Sequence, residues 1–196
     1  MKDNNKLIAY DLMQKIGKKA RDAATELAFA STEKKDDALR TAAANLRKEN
    51  NYVASENVKD INIAKAMGAS KAFLDRLLLT EDRIENISTT LERIADLEDP
   101  IGIVTDQWDQ PNGLSIERVR SPIGVIGVIY ESRPNVTADA SGLCLKAGNA
   151  VILRGGAESF NSCSAIMKSL KAGLKKATLP DSAIQFIPTP DRSAID

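Results

Sequence analysis

Arg154, Gly155, Gly156 and Glu158 stand in the run Leu153-Arg-Gly-Gly-Ala-Glu158, directly after the apolar stretch Ala150 to Leu153. A guanidinium fork matches the geometry of a phosphate group, and two glycines beside it let a backbone approach a ligand or simply turn the chain. A second polar stretch, Glu131-Ser-Arg-Pro-Asn135, follows the apolar run Gly124 to Tyr130. The amide of Asn135 can donate to an oxyanion, a role worth about 3–4 kcal/mol where one such donor has been removed from an enzyme. It suits equally an ordinary turn before a helix. The chain has no histidine, which removes Ser-His-Asp and Cys-His pairs and every histidine metal site. Cys144 and Cys163 lack C-x-x-C spacing and fall on the apolar stripes of helical segments, where cysteines are core residues rather than nucleophiles.

The elements that would position these residues follow from hydrophobic patterning. Gly124–Tyr130 and Ala150–Leu153 do not alternate polar with apolar, so both are expected as parallel strands buried on both faces. Between them, Thr137 is expected to cap a helix carrying Ala140, Leu143, Cys144 and Ala147, with Gly148 and Asn149 as its stop. A second helix carries Cys163, Ile166, Met167, Leu170, Leu174 and Ala177, and Ile184 to Ile187 forms a third strand before Pro188-Thr-Pro-Asp-Arg192. Residues 122 to 188 therefore read as βαβαβ, half of a doubly wound α/β sheet, whose ligands sit beyond the carboxyl ends of the strands. In that arrangement an acidic residue near the end of the second strand suits the ribose of NAD, whereas arginine suits the extra phosphate of NADP. Arg154 stands at that point; the alternative is a surface arginine closing a strand. Gly124 and Gly127 do not form G-x-G-x-x-G and no P-loop motif is present, which argues against a kinase or ATPase; these two glycines suit close packing.

Upstream, residues 5 to 97 read as five helices. Met13, Ile16, Ala20, Ala23 and Leu27 make the first stripe, Ser31 opens a second helix that ends near Asn50-Asn51, and a third runs from about Ser55 to Met67. A short helix spans Lys71 to Leu78, and Thr80-Glu81-Asp82 caps a fifth bearing Ile84, Ile87, Leu91 and Ile94. At Asp99-Pro100 the texture changes to a polar hairpin, Gly102–Gln110 and Leu114–Arg120, around Pro111-Asn112-Gly113. So polar a hairpin extends a sheet or pairs with another subunit. Its Trp108 is expected to pack rather than serve as a substrate platform. The organisation is thus a helical region (1–100), a hairpin arm for oligomerisation (101–120) and a nucleotide-binding half-domain (121–196).

With 196 residues, 43% of them hydrophobic, the chain can build a real core. Lys plus Arg and Asp plus Glu each total 27, so no net field gathers nucleic acid or anionic lipid. The amino terminus lacks a signal-peptide core and no segment reads as a membrane span. A cytoplasmic protein is expected.

The segment SPIGVIGVIYESRPNVTADASGLCLKAGNAVILRGGAE, with LPDSAIQFIPTPDR further on, resembles the gamma-glutamyl phosphate reductases of the aldehyde dehydrogenase superfamily. Less sharply, the resemblance extends over the helices and the hairpin. It implies a Rossmann-like, aldehyde dehydrogenase type of fold and NADPH-dependent reduction of L-glutamyl 5-phosphate to L-glutamate 5-semialdehyde, with phosphate released, in proline biosynthesis. In this superfamily a cysteine attacks the acyl carbon and the cofactor delivers hydride to the thioester. Carried over by position, Asn135 is the oxyanion donor and Arg154, with Gly155, Gly156 and Glu158, meets the cofactor. Members of the family are about twice as long, and neither Cys144 nor Cys163 stands in the nucleophile's motif. The resemblance therefore places the nucleophile and its catalytic domain outside this chain and leads to an expectation of no turnover by the chain alone. The alternatives are a catalytically silent NADP-binding or oligomerisation module, and a relative acting on a different acyl substrate.

Overall fold

A computed structural model of the chain describes residues 2–189, with side chains from residue 9 onward. Five helices come first: α1 (Lys2–Leu27), α2 (Thr32–Lys48), α3 (Asn50–Ala66), α4 (Lys71–Leu77) and α5 (Glu81–Asp96). Ser31, Ser70 and Thr80 cap α2, α4 and α5, each hydroxyl accepting from the backbone N–H three residues on. The Asn50-Asn51 pair does not break the chain as the sequence suggests. Glu49 ends α2 and precedes α3 directly, so α3 starts five residues before Ser55 and the two helices share one residue of corner.

A hairpin follows, β1 (Val104–Asp109) antiparallel to β2 (Ser115–Val119). Pro111 and Asn112 form the centre of its turn, closed by Gly113 N–H donating to the Gln110 carbonyl at 2.9 Å, and Gly113 takes the left-handed φ of 83° that glycine tolerates. Every residue of β1 is exposed. Trp108, 39% exposed, lies on this arm rather than in the core.

The remaining chain is β3 (Val125–Ile129), α6 (Asn135–Lys146), β4 (Ala150–Arg154), α7 (Phe160–Lys176) and β5 (Ile184–Phe186), with the strands parallel in the order β3-β4-β5. This is the expected βαβαβ. Successive residues Ala150 and Val151 of the central strand are both fully buried, so both faces of β4 are covered. Helix α1 lies across all three strands, while α6 and α7 pack beside each other and against α2. Strand β3 departs from the expectation of burial on both faces: Val125, Gly127 and Ile129 are exposed in alternation with half-buried Ile126 and Val128. It hydrogen-bonds to one neighbour, β4, and one of its faces stays open. Nor do Gly124 and Gly127 serve close packing, since a side chain at either would meet open space. Gly124 instead adopts a φ of 116°.

One core joins the early helices to the sheet-bearing part. Leu39 and Leu46 of α2, Ile84 and Leu91 of α5, and Ile166 and Leu174 of α7 are among its fully buried members, each contributing about 1.5–3 kcal/mol. The α2–α7 contact is close because Gly173 allows it: a Cβ there would overlap the Ala38 carbonyl oxygen and stand 3.1 Å from Ala42 Cβ. Two buried lysines are matched by carboxylates, Lys35 to Asp99 and Lys146 to Asp36, both at 2.5 Å. Thr137 does not cap α6. It lies inside the helix, fully buried, and Pro134 precedes the first turn without a side-chain cap. Leu143, expected on the apolar stripe, is exposed; α6 instead buries Leu145 and Cys144 together with small and polar residues, with Gly142 against Ile94, Leu91 and Leu39. Of the motif Ile187 to Arg192, residues 190–192 lie outside the described residues.

Candidate functional site

At the carboxyl ends of β3 and β4 two loops lie side by side, joined first by Tyr130 N–H donating to the Arg154 carbonyl at 3.1 Å. Arg154 closes β4, half-buried, with Nη1 donating to the Gly155 carbonyl at 2.8 Å. Gly155 and Gly156 then pass close to the β3 loop. A Cβ on Gly155 would stand 3.2 Å from the Tyr130 ring, and one on Gly156 would overlap Ser132 Oγ and reach within 2.9 Å of the Ser132 backbone nitrogen. Neither glycine has a positive φ, so their smallness serves contact between loops rather than a left-handed turn. Across Gly156, Ser132 Oγ donates to Glu158 Oε2 at 2.7 Å.

Beneath these loops the Tyr130 hydroxyl meets Thr137 Oγ1 at 2.7 Å and lies 3.8 Å from Cys163 Sγ, which in turn lies 3.5 Å from Ser159 Oγ. Burial, reinforced by the neighbouring Cys163, pushes the Tyr130 phenol far above its ordinary value. Burial also raises both thiols, Cys163 and Cys144. Both cysteines are free and buried, as core residues are, and a raised thiol is a poor source of thiolate. The amino end of α7 is fixed from a distance. Asp60 on α3 accepts from Asn161 N–H at 3.2 Å, Asn161 Nδ2 at 2.8 Å, Ser162 N–H at 2.8 Å and Ser162 Oγ at 2.5 Å. Beside it Asn57 donates to the Leu77 carbonyl and to Ser162 Oγ, and accepts from Leu79 N–H.

Asn135 sits elsewhere on the rim. It is the first residue of α6, exposed, with Nδ2 donating to Asp139 Oδ2 at 3.0 Å. Both residues line a cleft of about 370 Å³ between α6, α5 and the α4–α5 connection, together with Arg76, Arg83 and Arg133. Burial raises the Asp139 carboxyl above the usual aspartate range, the hydrogen bond from Asn135 offsetting part of that rise. The structure therefore gathers Arg154, Gly155, Gly156 and Glu158 in one loop and puts Asn135 on a neighbouring one. The Ser132–Glu158 hydrogen bond ties the two. Ser132, Arg133 and Asp139 are additions to the residues singled out by the sequence. Asp139 had a readable signal, since it stands one helical turn after Asn135; Asp60, about a hundred residues from its partners, had none.

The chain belongs to the aldehyde dehydrogenase family, which it matches over residues 7–196. Among named relatives it is 59% identical to the gamma-glutamyl phosphate reductase of Rhodospirillum rubrum over 184 residues, 94% of this chain and 43% of the relative. The crystal structure of gamma-glutamyl phosphate reductase from Thermotoga maritima superimposes with a TM-score of 0.91 at 39% identity, covering 93% of this chain and 44% of that one. The Saccharomyces cerevisiae counterpart gives 0.87 at 33% identity, covering 94% and 48%. The chain spans less than half the length of these relatives.

Proposed function

We propose that this chain forms the cofactor-binding front part of a cytoplasmic, NADPH-dependent reductase that converts L-glutamyl 5-phosphate to L-glutamate 5-semialdehyde and phosphate. What carries the reading is 59% identity to a gamma-glutamyl phosphate reductase over 94% of the chain. The donor set fits a phosphorylated nicotinamide cofactor: Arg154 brings a guanidinium to the carboxyl end of the second strand, where an extra ribose phosphate needs a fixed positive charge. When bound, the cofactor supplies hydride to the acyl carbon. Arg154 holds the phosphate, and the paired loops around Gly155, Gly156 and Ser132 fix where Arg154 sits. Asn135 presents an amide N–H to the acyl oxygen as negative charge develops there. Neither thiol attacks, because both are buried and held protonated.

That burial favours the related reading in which the chain alone binds cofactor without turnover. The exposed β1–β2 arm, with Val104, Trp108 and Val119 uncovered, suits self-association through strand pairing. Titrating NADPH and NADH into the parent chain and an Arg154→Ala form tests the assignment. Loss of a charge-assisted phosphate contact costs about 1.5–3 kcal/mol, so NADPH affinity should fall roughly ten- to a hundredfold while NADH affinity holds. Equal affinities throughout would refute the role of Arg154.

A further inference from the structure

We infer that the wedge between the α2–α3 corner and α7 is a second small-molecule site, separate from the cofactor loops, and that it takes a small α-amino acid, with the carboxylate on Lys168 and Ser169 and the ammonium group on Glu49 and Asn45. The wedge follows from the way the helices meet. Helix α2 ends at Glu49 and α3 starts at Asn50, so the two diverge from one point while both pack on α7. Beneath that point α7 presents Ala165, Ser169 and Ala172, at steps of four and three residues along one face. None is long enough to fill the gap. A cavity of about 300 Å³ is left, walled by Asn45 and Glu49 at the end of α2 and by Tyr52 of α3. At about 30 Å³ per water, it has room for a molecule of roughly ten non-hydrogen atoms or fewer.

The polar groups of the wedge define the ligand. Ser169 is 2% exposed, yet among the described residues its hydroxyl has no hydrogen-bond partner, whereas the buried helical serines Ser88 and Ser141 each bond the carbonyl four residues back. A buried hydroxyl without a partner costs stability. Ser169 lines the cavity, where a ligand oxygen satisfies it. Across from it Asn45 and Glu49, one helical turn apart, also have side chains free of hydrogen bonds and ion pairs among the described residues. Lys168, by contrast, is held in place. Its Nζ donates to the Tyr52 hydroxyl and stands 4.2 Å from the centroid of that ring. An ammonium group has three donors, so two remain for a carboxylate, and the Tyr52 hydroxyl, accepting from Lys168, has its own proton to give. A cation and an anion thus stand on different walls of one cavity without pairing with each other. A molecule bearing both charges bridges them, its apolar side chain against Ala165 and Ala172. A simple carboxylate or amine engages one wall only.

Three probes test the site on the intact chain by calorimetric titration: L-valine, 3-methylbutanoate, which lacks the ammonium group, and 2-methylpropylamine, which lacks the carboxylate. L-Valine should bind about tenfold or more tightly than either, the loss expected for one charged contact. Lys168→Met should bring L-valine down to the affinity of the amine, and Glu49→Gln to that of 3-methylbutanoate. Both positions are exposed, so neither change threatens the fold. Ser169→Val, which fills the wedge from beneath, should abolish binding. Equal affinities for the three probes, no binding of L-valine, or an L-valine affinity unchanged in either charge variant overturns the proposal and leaves the wedge to water. Should Ser169→Val fail to fold, movement of the Asn45 side-chain amide resonance on adding L-valine to the parent takes its place, and a resonance that stays still overturns the assignment equally.

Discussion

Replacing Gly156 with alanine puts a Cβ where Ser132 Oγ now lies and within 2.9 Å of the Ser132 backbone nitrogen. The backbone at Gly156, φ −59° and ψ 149°, is open to any residue, so alanine brings no local strain and gains about 0.5 kcal/mol from a stiffer unfolded chain. Against that stand overpacking at about 1–3 kcal/mol and loss of the Ser132–Glu158 hydrogen bond, about 1 kcal/mol for a half-buried pair. The expected net loss is about 2–3 kcal/mol in urea unfolding followed by helical circular dichroism. Because most of the conflict is with one hydroxyl, Ser132→Ala should soften it. In a double-mutant cycle Gly156→Ala should cost about 1–2 kcal/mol less on the Ser132→Ala background. Additivity to within about 0.5 kcal/mol would show that the loops can part without loss, and would refute the inference that these glycines lock them together.

Asp60→Ala should destabilise the chain by about 2–4 kcal/mol, because it leaves the buried Ser162 and part-buried Asn161 backbone N–H groups at the start of α7 without their acceptor; a loss below about 1 kcal/mol in the same unfolding assay would mean that water or Ser162 replaces it. Asp99→Asn should cost about 3 kcal/mol at neutral pH by leaving Lys35, 1% exposed, as an uncompensated buried charge. Burial alone would raise Asp99, but hydrogen bonds from Lys35, Thr32 and the Ile101 N–H, with the lysine charge, hold it below its ordinary value. A depressed carboxylate contributes stability above its unfolded value, about 3.9, and loses it as pH falls through the lower folded value. The gap between parent and Asp99→Asn should therefore be full at pH 6 and shrink below about pH 4. A gap that stays constant would place the stabilisation elsewhere.

Legibility in the sequence followed burial. Strand β4 could be read because both faces are covered and Ala150 to Leu153 are all apolar, whereas the similar composition of β3 hides a face open in this chain, with Ile129 67% exposed. The helix starts at Ser31 and Thr80 are local chemistry and are visible in the sequence, whereas the Ser70 cap of α4 emerges only from the structure. The α2–α3 corner was not, because backbone geometry at Glu49 makes it without the polar break that Asn50-Asn51 imitates. Thr137 has the signature of a cap, a threonine near a helix start, but it lies inside α6 and its partner, the Tyr130 hydroxyl, follows the preceding strand. In the candidate site, Arg154 and Asn135 stand out by lying after apolar runs. The Asp60 anchor and the loop contact at Gly156 depend on residues brought together from afar, which patterning cannot register.

Asp60 and its partners on α7 are separated by about a hundred residues, and the α2 surface at Ala38 and Ala42 lies about 130 residues from Gly173. At roughly 5–20 residues per second on a ribosome, α2 and α3 emerge about 5–25 s before the helix that covers them. For that interval the faces of α2 and α3 that α7 covers, and the Asp60 carboxylate, lack their partner, although α5 already packs against α2. The early helices are thus a waiting surface during synthesis, exposed to chaperones and to neighbouring nascent chains, and the arrival of α7 docks with a cap already standing in place.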